Sequence, residues 1–207
     1  MFENRTDAGR QLADLLDDHD VEADVVLGIP RGGLPVARPV ADALSAPLDV
    51  VVASKIGAPN NPELAIGAVA SDGSIWRNED LIDRLGVEEA YVERERESEA
   101  EAAREKLERY RGTGELPDVK GKRVVVVDDG LATGATTIAA LQQVRAAGAS
   151  HVVLAVPVGS PDSVERLRAE ADRVVAIETP PHFSAVGQFY RSFEQVSDEE
   201  AMAHLDR

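Results

Sequence analysis

The sequence contains no cysteine and no long apolar run. Without cysteine, a disulfide framework, a thiolate metal site and a cysteine nucleophile are all excluded. No stretch approaches the roughly 18 apolar residues that a membrane-spanning helix needs, and the acidic N-terminal segment lacks the apolar core of a secretion signal. We therefore expect a soluble, cytoplasmic protein.

Positive charge is also scarce, because the formal net charge is −16 and lysine occurs only four times in 207 residues. Proteins bind duplex nucleic acid mainly by placing basic side chains on phosphates, so this balance argues against a nucleic-acid partner. An acidic, lysine-poor surface is typical of a protein kept soluble at high salt, where screening within about 3 Å at 1 M weakens self-repulsion. The length favours a single domain over residues 1–207.

Short apolar runs alternate with segments of helical spacing along most of the chain. Five runs are rich in β-branched residues: DVVLGIP, LDVVVAS, RVVVVDD, HVVLAVPVG and RVVAIET. Strands that are apolar throughout are typical of a parallel sheet covered on both faces. The pattern predicts an α/β fold with an open, mainly parallel five-stranded sheet and helices on both faces.

Two segments interrupt this alternation. Residues 55–77 contain a Ser-Asp-Gly-Ser turn between two apolar runs, which predicts a β-hairpin in an excursion long enough to be functional. Residues 88–111 intersperse Glu with Arg at helical spacing. They predict a solvated helix carrying ion pairs across one turn, or alternatively a surface that binds a partner.

The stretch VVVVDDGLATGAT raises a question, because a buried strand ends in two adjacent like charges, Asp128 and Asp129. A helix is predicted to begin near Thr136, and the N–H groups at its start, with the helix dipole, favour a phosphate. The predicted phosphate loop comprises Ala132, Thr133, Gly134, Ala135, Thr136 and Thr137. Since carboxylates repel phosphate, the aspartates should face hydroxyl groups or a cation.

A ribose carrying a 5′-phosphate meets both demands, with its diol on the aspartates and its phosphate on the loop. The simpler alternative is that the aspartates and Thr133 only cap the turn and the helix. The spacing of a P-loop or of a dinucleotide-binding glycine motif is absent.

Two further features follow predicted strands. Arg31, Gly32 and Gly33 form a tight turn with accessible amides and a fixed cation, which suits a second phosphate group, although the glycines could also serve a simple strand-to-helix turn. Lys55 follows the second predicted strand, at the start of the excursion. Because ligands collect at the carboxyl ends of parallel strands, the three features together indicate a ligand with phosphates at both ends of a ribose.

VVVVDDGLATGAT closely resembles the 5-phosphoribosyl-1-pyrophosphate (PRPP) signature of type I phosphoribosyltransferases. The order of the other parts is similar over nearly the whole chain: an RGG pyrophosphate loop, a basic residue opening a flexible loop of about residues 55–77, and a C-terminal hood of about residues 178–195. The hood resembles that of a branch of the family without an assigned substrate.

The resemblance implies transfer of the phosphoribosyl group of PRPP to a nitrogen acceptor, usually a nucleobase, with release of pyrophosphate. Asp128 and Asp129 would bind the ribose hydroxyls and residues 132–137 the 5′-phosphate. Arg31, Gly32 and Gly33 would bind pyrophosphate, assisted by Lys55. The expected catalytic residues are Asp128, Asp129 and Lys55. Family members use Mg²⁺, held mainly through PRPP, for which Asp129 is a candidate ligand, and we expect a homodimer.

Ala132 departs from one group of relatives, because enzymes of the family acting on 6-oxopurines carry an acidic residue there. We therefore expect a different acceptor. Glu178, His182 and Phe183 are candidates for contacting it, since an aromatic ring can stack on a base and polar groups can bind its edge; Phe183 could equally be a core aromatic and His182 an ordinary loop residue.

A second class of function stays open at this stage. The chain could be a non-catalytic regulator that senses PRPP or a nucleotide and acts through a protein partner, for which residues 88–111 offer a surface. A phosphohydrolase or a nucleotide-binding module using the same phosphate loop is a lesser alternative.

Overall fold

The structure is a computed structural model and describes residues 1–205. Its strands are β1 (Val25–Gly28), β2 (Leu48–Val50), β3 (Ala53–Ala58), β4 (Asn61–Ala70), β5 (Ile75–Arg77), β6 (Arg123–Val127), β7 (His151–Val158) and β8 (Arg173–Glu178). Its helices are α1 (Arg5–Asp18), α2 (Gly33–Ala43), α3 (Glu79–Leu85), α4 (Glu89–Arg111), α5 (Ala135–Ala146), α6 (Pro161–Leu167) and α7 (Asp198–Met202), and a 3₁₀ helix spans Val186–Phe189.

The main sheet has the strand order β2-β1-β6-β7-β8, and all of its strand pairs are parallel. This arrangement confirms the predicted fold class. After β1 the chain crosses to β2 on one side, whereas after β6 it crosses to β7 on the other. The direction of winding therefore reverses between β1 and β6, which is where open α/β sheets form their ligand-binding crevice.

Alternating side chains of β6 explain why the strand is apolar throughout. Val125 and Val127 pack in a core with α1, α2 and the last turns of α4, whereas Val124 and Val126 pack in a core with α5 and α6. Because successive side chains of a strand point to opposite faces, one run of valines serves both cores. Both faces of the main sheet are thus covered, as predicted.

The excursion between the strands forms a separate antiparallel sheet of order β3-β4-β5, with the predicted turn at residues 71–74 joining β4 to β5. The prediction of LDVVVAS as one strand was wrong. Val50 pairs with Gly28, the last residue of β1, so β2 ends there for want of a partner. Three residues later Ala53 pairs with Ala70 and begins β3.

The charged helix α4 is solvated on one face only. Its outer face carries ion pairs across one turn, such as that between Arg104 and Glu101. Its inner face packs first on the small sheet, through Val92, and then on the main core, through Leu107 and Tyr110. Within residues 1–205 no helix, this one included, is both long and apolar enough to cross a bilayer.

Candidate active site

The carboxyl ends of β1 and β6 lie side by side. Gly28 is in register with Val127, and the Ile29 N–H donates to the Val127 carbonyl at 2.9 Å. Because the two strands end side by side, the Arg-Gly-Gly loop and the loop with the two aspartates leave the sheet together, at the point where the winding reverses. The peptide bond between Pro30 and Arg31, in the first of these loops, is cis.

The two loops touch. A Cβ atom placed on Gly32 would lie 2.0 Å from Asp129 Oδ2, and one placed on Gly33 would lie 2.7 Å from the Val127 carbonyl oxygen. Gly32 has φ −63° and ψ −29°, a conformation open to any residue. The absence of a side chain at Gly32 is therefore required by the neighbouring carboxylate rather than by the backbone.

Asp129 is paired with an arginine that the sequence analysis missed. Arg5 Nε donates to Asp129 Oδ2 at 2.8 Å, and the two side chains are only 12% and 16% exposed. The guanidinium also donates to the Glu194 carbonyl at 2.7 Å and lies 3.8 Å from the centroid of the Phe193 ring. No local sequence signal marks Arg5, because 124 positions separate it from Asp129.

The carboxylates of the pair are poorly solvated. Burial raises the pKa of Asp128 well above its usual range, and the charge of Asp129 raises it further. The Asp129 N–H and the Thr137 hydroxyl donate to Asp128 at 2.9 and 3.3 Å and act in the opposite direction. Burial also raises the pKa of Asp129, against the influence of Arg5. Hydroxyl donors or a cation would stabilise these charges.

We predict that Asp128→Asn stabilises the free protein at neutral pH. The folded-state pKa of Asp128 lies above the unfolded value, so its stabilising contribution is complete below the unfolded pKa and is lost as pH rises through the folded pKa. Asparagine removes the ionised form and can still accept from the Asp129 N–H. Calorimetry should show a rise in Tm of a few degrees at pH 7, corresponding to about 1 kcal/mol, that shrinks below about pH 4.

The exposed Asp14 provides the control, since Asp14→Asn makes the same change of charge on the outer face of α1. A Tm at pH 7 that falls in Asp128→Asn but not in Asp14→Asn would contradict the prediction.

The predicted phosphate loop leads into α5, which begins at Ala135. Gly134 precedes the helix with φ +73°, in the left-handed region that favours glycine. The hydroxyls of Ser160 and Ser163 donate to the Ala132 carbonyl at 3.2 and 2.6 Å. The N–H groups of the first helical turn have no intrahelical acceptor by the geometry of a helix. The Ala132 carbonyl of the loop thus already accepts two hydrogen bonds, and the backbone amides at the start of the helix are suited to an anion.

The C-terminal segment packs against the backbone that follows the aspartates. The Tyr190 hydroxyl donates to the Asp129 carbonyl at 2.6 Å, and a Cβ on Gly130 would lie 2.6 Å from Val186 Cγ1. Phe2 forms an adjacent ring contact with Tyr190 at 5.3 Å between centroids. Contacts from both ends of the described chain therefore fix the position of Asp129.

The three residues proposed to contact the acceptor lie near this segment but are engaged elsewhere. Glu178 pairs with the Met1 amine at 3.3 Å, and Phe183 stacks on Phe189 at 5.3 Å between centroids. His182 is exposed, and its carbonyl accepts from a glutamine. Within residues 1–205, none of the three side chains hydrogen-bonds to or forms an ion pair with Asp128 or Asp129.

Two lysines are candidates for a cation that binds phosphate, and they lie in different parts of the structure. Lys55 is in β3 of the small sheet, opposite Ala68, and its Nζ lies 3.1 Å from Glu63 Oε2. Lys106 Nζ instead donates to the Pro30 carbonyl at 3.2 Å, at the base of the Arg-Gly-Gly loop. The sequence analysis missed Lys106 because it predicted residues 88–111 to be a solvated helix or a surface for a partner, and neither prediction places Lys106 at the Arg-Gly-Gly loop.

The sequence matches the family model of the phosphoribosyl transferase domain over residues 3–194. The chain belongs to this family. This phosphoribosyl transferase domain is 45% identical in sequence to the protein TT1426 of Thermus thermophilus. The crystal structure of TT1426 aligns with it at a TM-score of 0.81, covering 99% of this chain and 97% of that one. The family predicted from VVVVDDGLATGAT is thereby confirmed.

Two curated relatives are longer than this phosphoribosyl transferase domain. A Mycobacterium tuberculosis H37Rv protein, Rv0571c, provisionally named a phosphoribosyl transferase, is 47% identical over all 207 residues, which make up 47% of its own length. The ribose-phosphate pyrophosphokinase of Pyrococcus furiosus is 32% identical over 111 residues, covering 53% of this chain and 37% of that protein. The chain thus spans about half the length of the first relative and less of the second.

Proposed function

We propose that this chain transfers the 5-phosphoribosyl group of PRPP to a nitrogen acceptor and releases pyrophosphate. The observation that carries the proposal is the contact between Gly32 and Asp129 beside the start of α5, at the switch point of the sheet. A loop suited to pyrophosphate, a pair of carboxylates suited to a diol and a helix start suited to a phosphate adjoin there in the order that the groups have in PRPP.

The division of roles follows from charge. Asp128 and Asp129 accept hydrogen bonds from the ribose hydroxyls, and Arg5 orients Asp129 for this purpose. The loop of residues 132–137 binds the 5′-phosphate through backbone amides. Arg31 and the amides of Gly32 and Gly33 bind the pyrophosphate group.

In the reaction the bond from C1 of the ribose to pyrophosphate oxygen breaks with its electron pair, the acceptor nitrogen bonds to C1, and that nitrogen releases its proton. C1 gains positive charge in the transition state, and the buried carboxylates provide negative potential nearby. Catalysis consists mainly of positioning and of stabilising the leaving group, so loss of one aligned donor should cost about 3 kcal/mol of barrier.

The residues present fit a magnesium ion. Mg²⁺ prefers oxygen ligands and commonly combines one or two carboxylates with substrate phosphates. Asp128 and Asp129 supply such oxygens; burial raises the pKa of both, which disfavours their ionised forms, and a bound cation would offset that cost. When bound, Mg²⁺ would neutralise charge on the pyrophosphate, with Asp129 as the protein ligand and PRPP supplying most of the others.

The acceptor in this proposal is not a 6-oxopurine. Ala132 is exposed at the phosphate loop and offers no acid for handling a proton. Glu178, His182 and Phe183 stay proposed acceptor contacts because they adjoin the segment that packs on Asp129. We further propose that the protein is cytoplasmic and that it acts as a homodimer. Light scattering after size-exclusion chromatography would test the oligomeric state.

Release of pyrophosphate from PRPP tests the proposed reaction. The assay is run with Mg²⁺ at high salt over a panel of nucleobases and other nitrogen compounds. Release with one acceptor and not with the rest supports the proposal. Binding of PRPP without turnover on any acceptor would favour the regulator that acts through a protein partner, and no binding of PRPP would overturn both.

Lys55→Ala is expected to reduce turnover by more than it weakens binding of the product 5′-monophosphate. The Lys55 side chain is a third exposed and pairs with a carboxylate that is itself 91% exposed, so it is able to move to the pyrophosphate during the reaction. Lys120→Ala removes an equal charge from the exposed segment before β6 and should have no effect. If turnover in Lys55→Ala equals that of the wild type, Lys55 has no role in the reaction.

A further inference from the structure

Lys106 differs from the other lysines in its surroundings. It lies on α4 beside the core residues Ala103 and Leu107 and is partly buried. Lys55 and Lys122 each form an ion pair with a carboxylate. Within residues 1–205, no carboxylate forms a direct ion pair with Lys106, and Asp198 and Asp128 act on its charge only from a greater distance.

The position of Lys106 links α4 to the pyrophosphate loop. Its Nζ donates to the Pro30 carbonyl at 3.2 Å, one residue before Arg31. Burial lowers the pKa of Lys106; the charges of Asp198 and Asp128 act against this effect, and that of Arg31 acts with it. Lys106 is therefore within electrostatic range of both the arginine and the aspartate of the proposed site.

The surrounding contacts hold Lys106 in place. Asp198, the first residue of α7, accepts from the Tyr110 hydroxyl and from Arg109, each at 2.7 Å. Tyr110 is fully buried one helical turn after Lys106. The last turns of α4 are thus tied to α7 and to the core, which fixes the backbone from which Lys106 reaches the loop.

A partly desolvated cation without a direct ion pair is costly, and a bound anion would lower that cost. A neutral donor could satisfy the Pro30 carbonyl equally well, so the hydrogen bond alone does not account for a charged side chain here. The charges of Lys106 and Arg31 repel each other, and a strongly negative ligand bound beside them would offset that repulsion.

We propose that Lys106 is a positioning residue for the pyrophosphate half of PRPP, holding the Pro30 carbonyl so that the Arg31 loop is aligned and adding positive charge beneath it. This inference rests on the proposed function. It adds a cation from α4 to Arg31 and Lys55, the two that the sequence analysis assigned to the pyrophosphate group. Ribose 5-phosphate lacks the pyrophosphate group, so Lys106 contributes little to its binding.

The test compares two ligands on matched variants. Calorimetry with Mg²⁺ measures PRPP and ribose 5-phosphate on the wild type, Lys106→Met, Lys106→Arg and Lys122→Met. Lys122 is the control because its Nζ also donates to a backbone carbonyl, that of Asp118 at 2.7 Å, before the N-terminal end of β6. We expect Lys106→Met to weaken PRPP about tenfold or more and ribose 5-phosphate less than about twofold, Lys106→Arg to recover most of the loss, and Lys122→Met to match the wild type.

Two outcomes would overturn the inference while leaving the proposed function intact: unchanged PRPP affinity in Lys106→Met, or equal loss for both ligands, which indicates a structural role only. Wild-type protein that binds no PRPP would overturn the proposed function itself. Should Lys106→Met not fold, as judged by its Tm, Lys106→Gln removes the charge but keeps a donor, and the same difference between ligands is expected of it.

Discussion

Gly32→Ala is expected to lower PRPP affinity by about 100-fold or more while the protein stays folded. The added methyl group would lie 2.0 Å from Asp129 Oδ2 and 3.0 Å from Arg5 Nε, well inside van der Waals contact. The carboxylate would have to rotate away from Arg5, and the ribose would lose its principal acceptor. Alanine suits the helical backbone of Gly32, so the fold itself has no reason to fail.

The matched control for this variant is Gly114→Ala. Among the described residues, a Cβ on Gly114 would meet the Arg104 side chain, at 3.1 Å from Cγ, and that side chain is exposed and able to move. Titration calorimetry with PRPP, together with the Tm of each variant, separates loss of the site from loss of the fold. Wild-type affinity in Gly32→Ala would show that the contact with Asp129 is irrelevant to binding.

Asp129→Asn is expected to weaken PRPP by about 10- to 100-fold and to leave the affinity for inorganic phosphate nearly unchanged. Hydrogen bonds to an ionised carboxylate are about twice as strong as those to a neutral amide, and the ribose hydroxyls are the groups that would lose them. In the proposed site, inorganic phosphate binds at the start of α5 and makes no use of the carboxylate. Competition between the two ligands measured by calorimetry gives both constants.

Asp24→Asn provides the control at the opposite end of the same strand. Asp24 pairs with Arg123 at the start of β6, with 2.8 Å between Oδ1 and Nη2, so the change removes an equal charge from an arginine pair outside the site. Equal losses of PRPP and phosphate in Asp129→Asn would contradict the ribose role and would indicate that the arrangement around Asp129 supports the whole site.

The sequence was sufficient for the class of the fold because strand composition reports burial directly. The valines of β6 are apolar without interruption, and only a sheet covered on both faces buries such a run. The lengths of the strands were harder to predict from the sequence. β2 ends at Val50 because β1 ends at Gly28, and the end of a partner strand leaves no trace in the apolar run itself.

The candidate site divides in the same way. Asp128, Asp129 and the phosphate loop were predictable because their chemistry lies in one continuous stretch, where a buried strand, two carboxylates and a helix start follow one another. The proposed acceptor contacts do not lie in such a stretch. In the structure, Glu178 pairs with the Met1 amine and Phe183 stacks on Phe189.

By itself, the sequence determined the parallel sheet, the phosphoribosyl transferase signature and the absence of a side chain at position 32. Only the tertiary structure decided that β1 adjoins β6, that Arg5 pairs with Asp129, and that Lys106 donates to the Pro30 carbonyl. The physical reason is separation along the chain. A local sequence pattern reports whether a residue is buried and which helix or strand it belongs to. A pairing between distant residues depends instead on the order of the strands in the folded sheet.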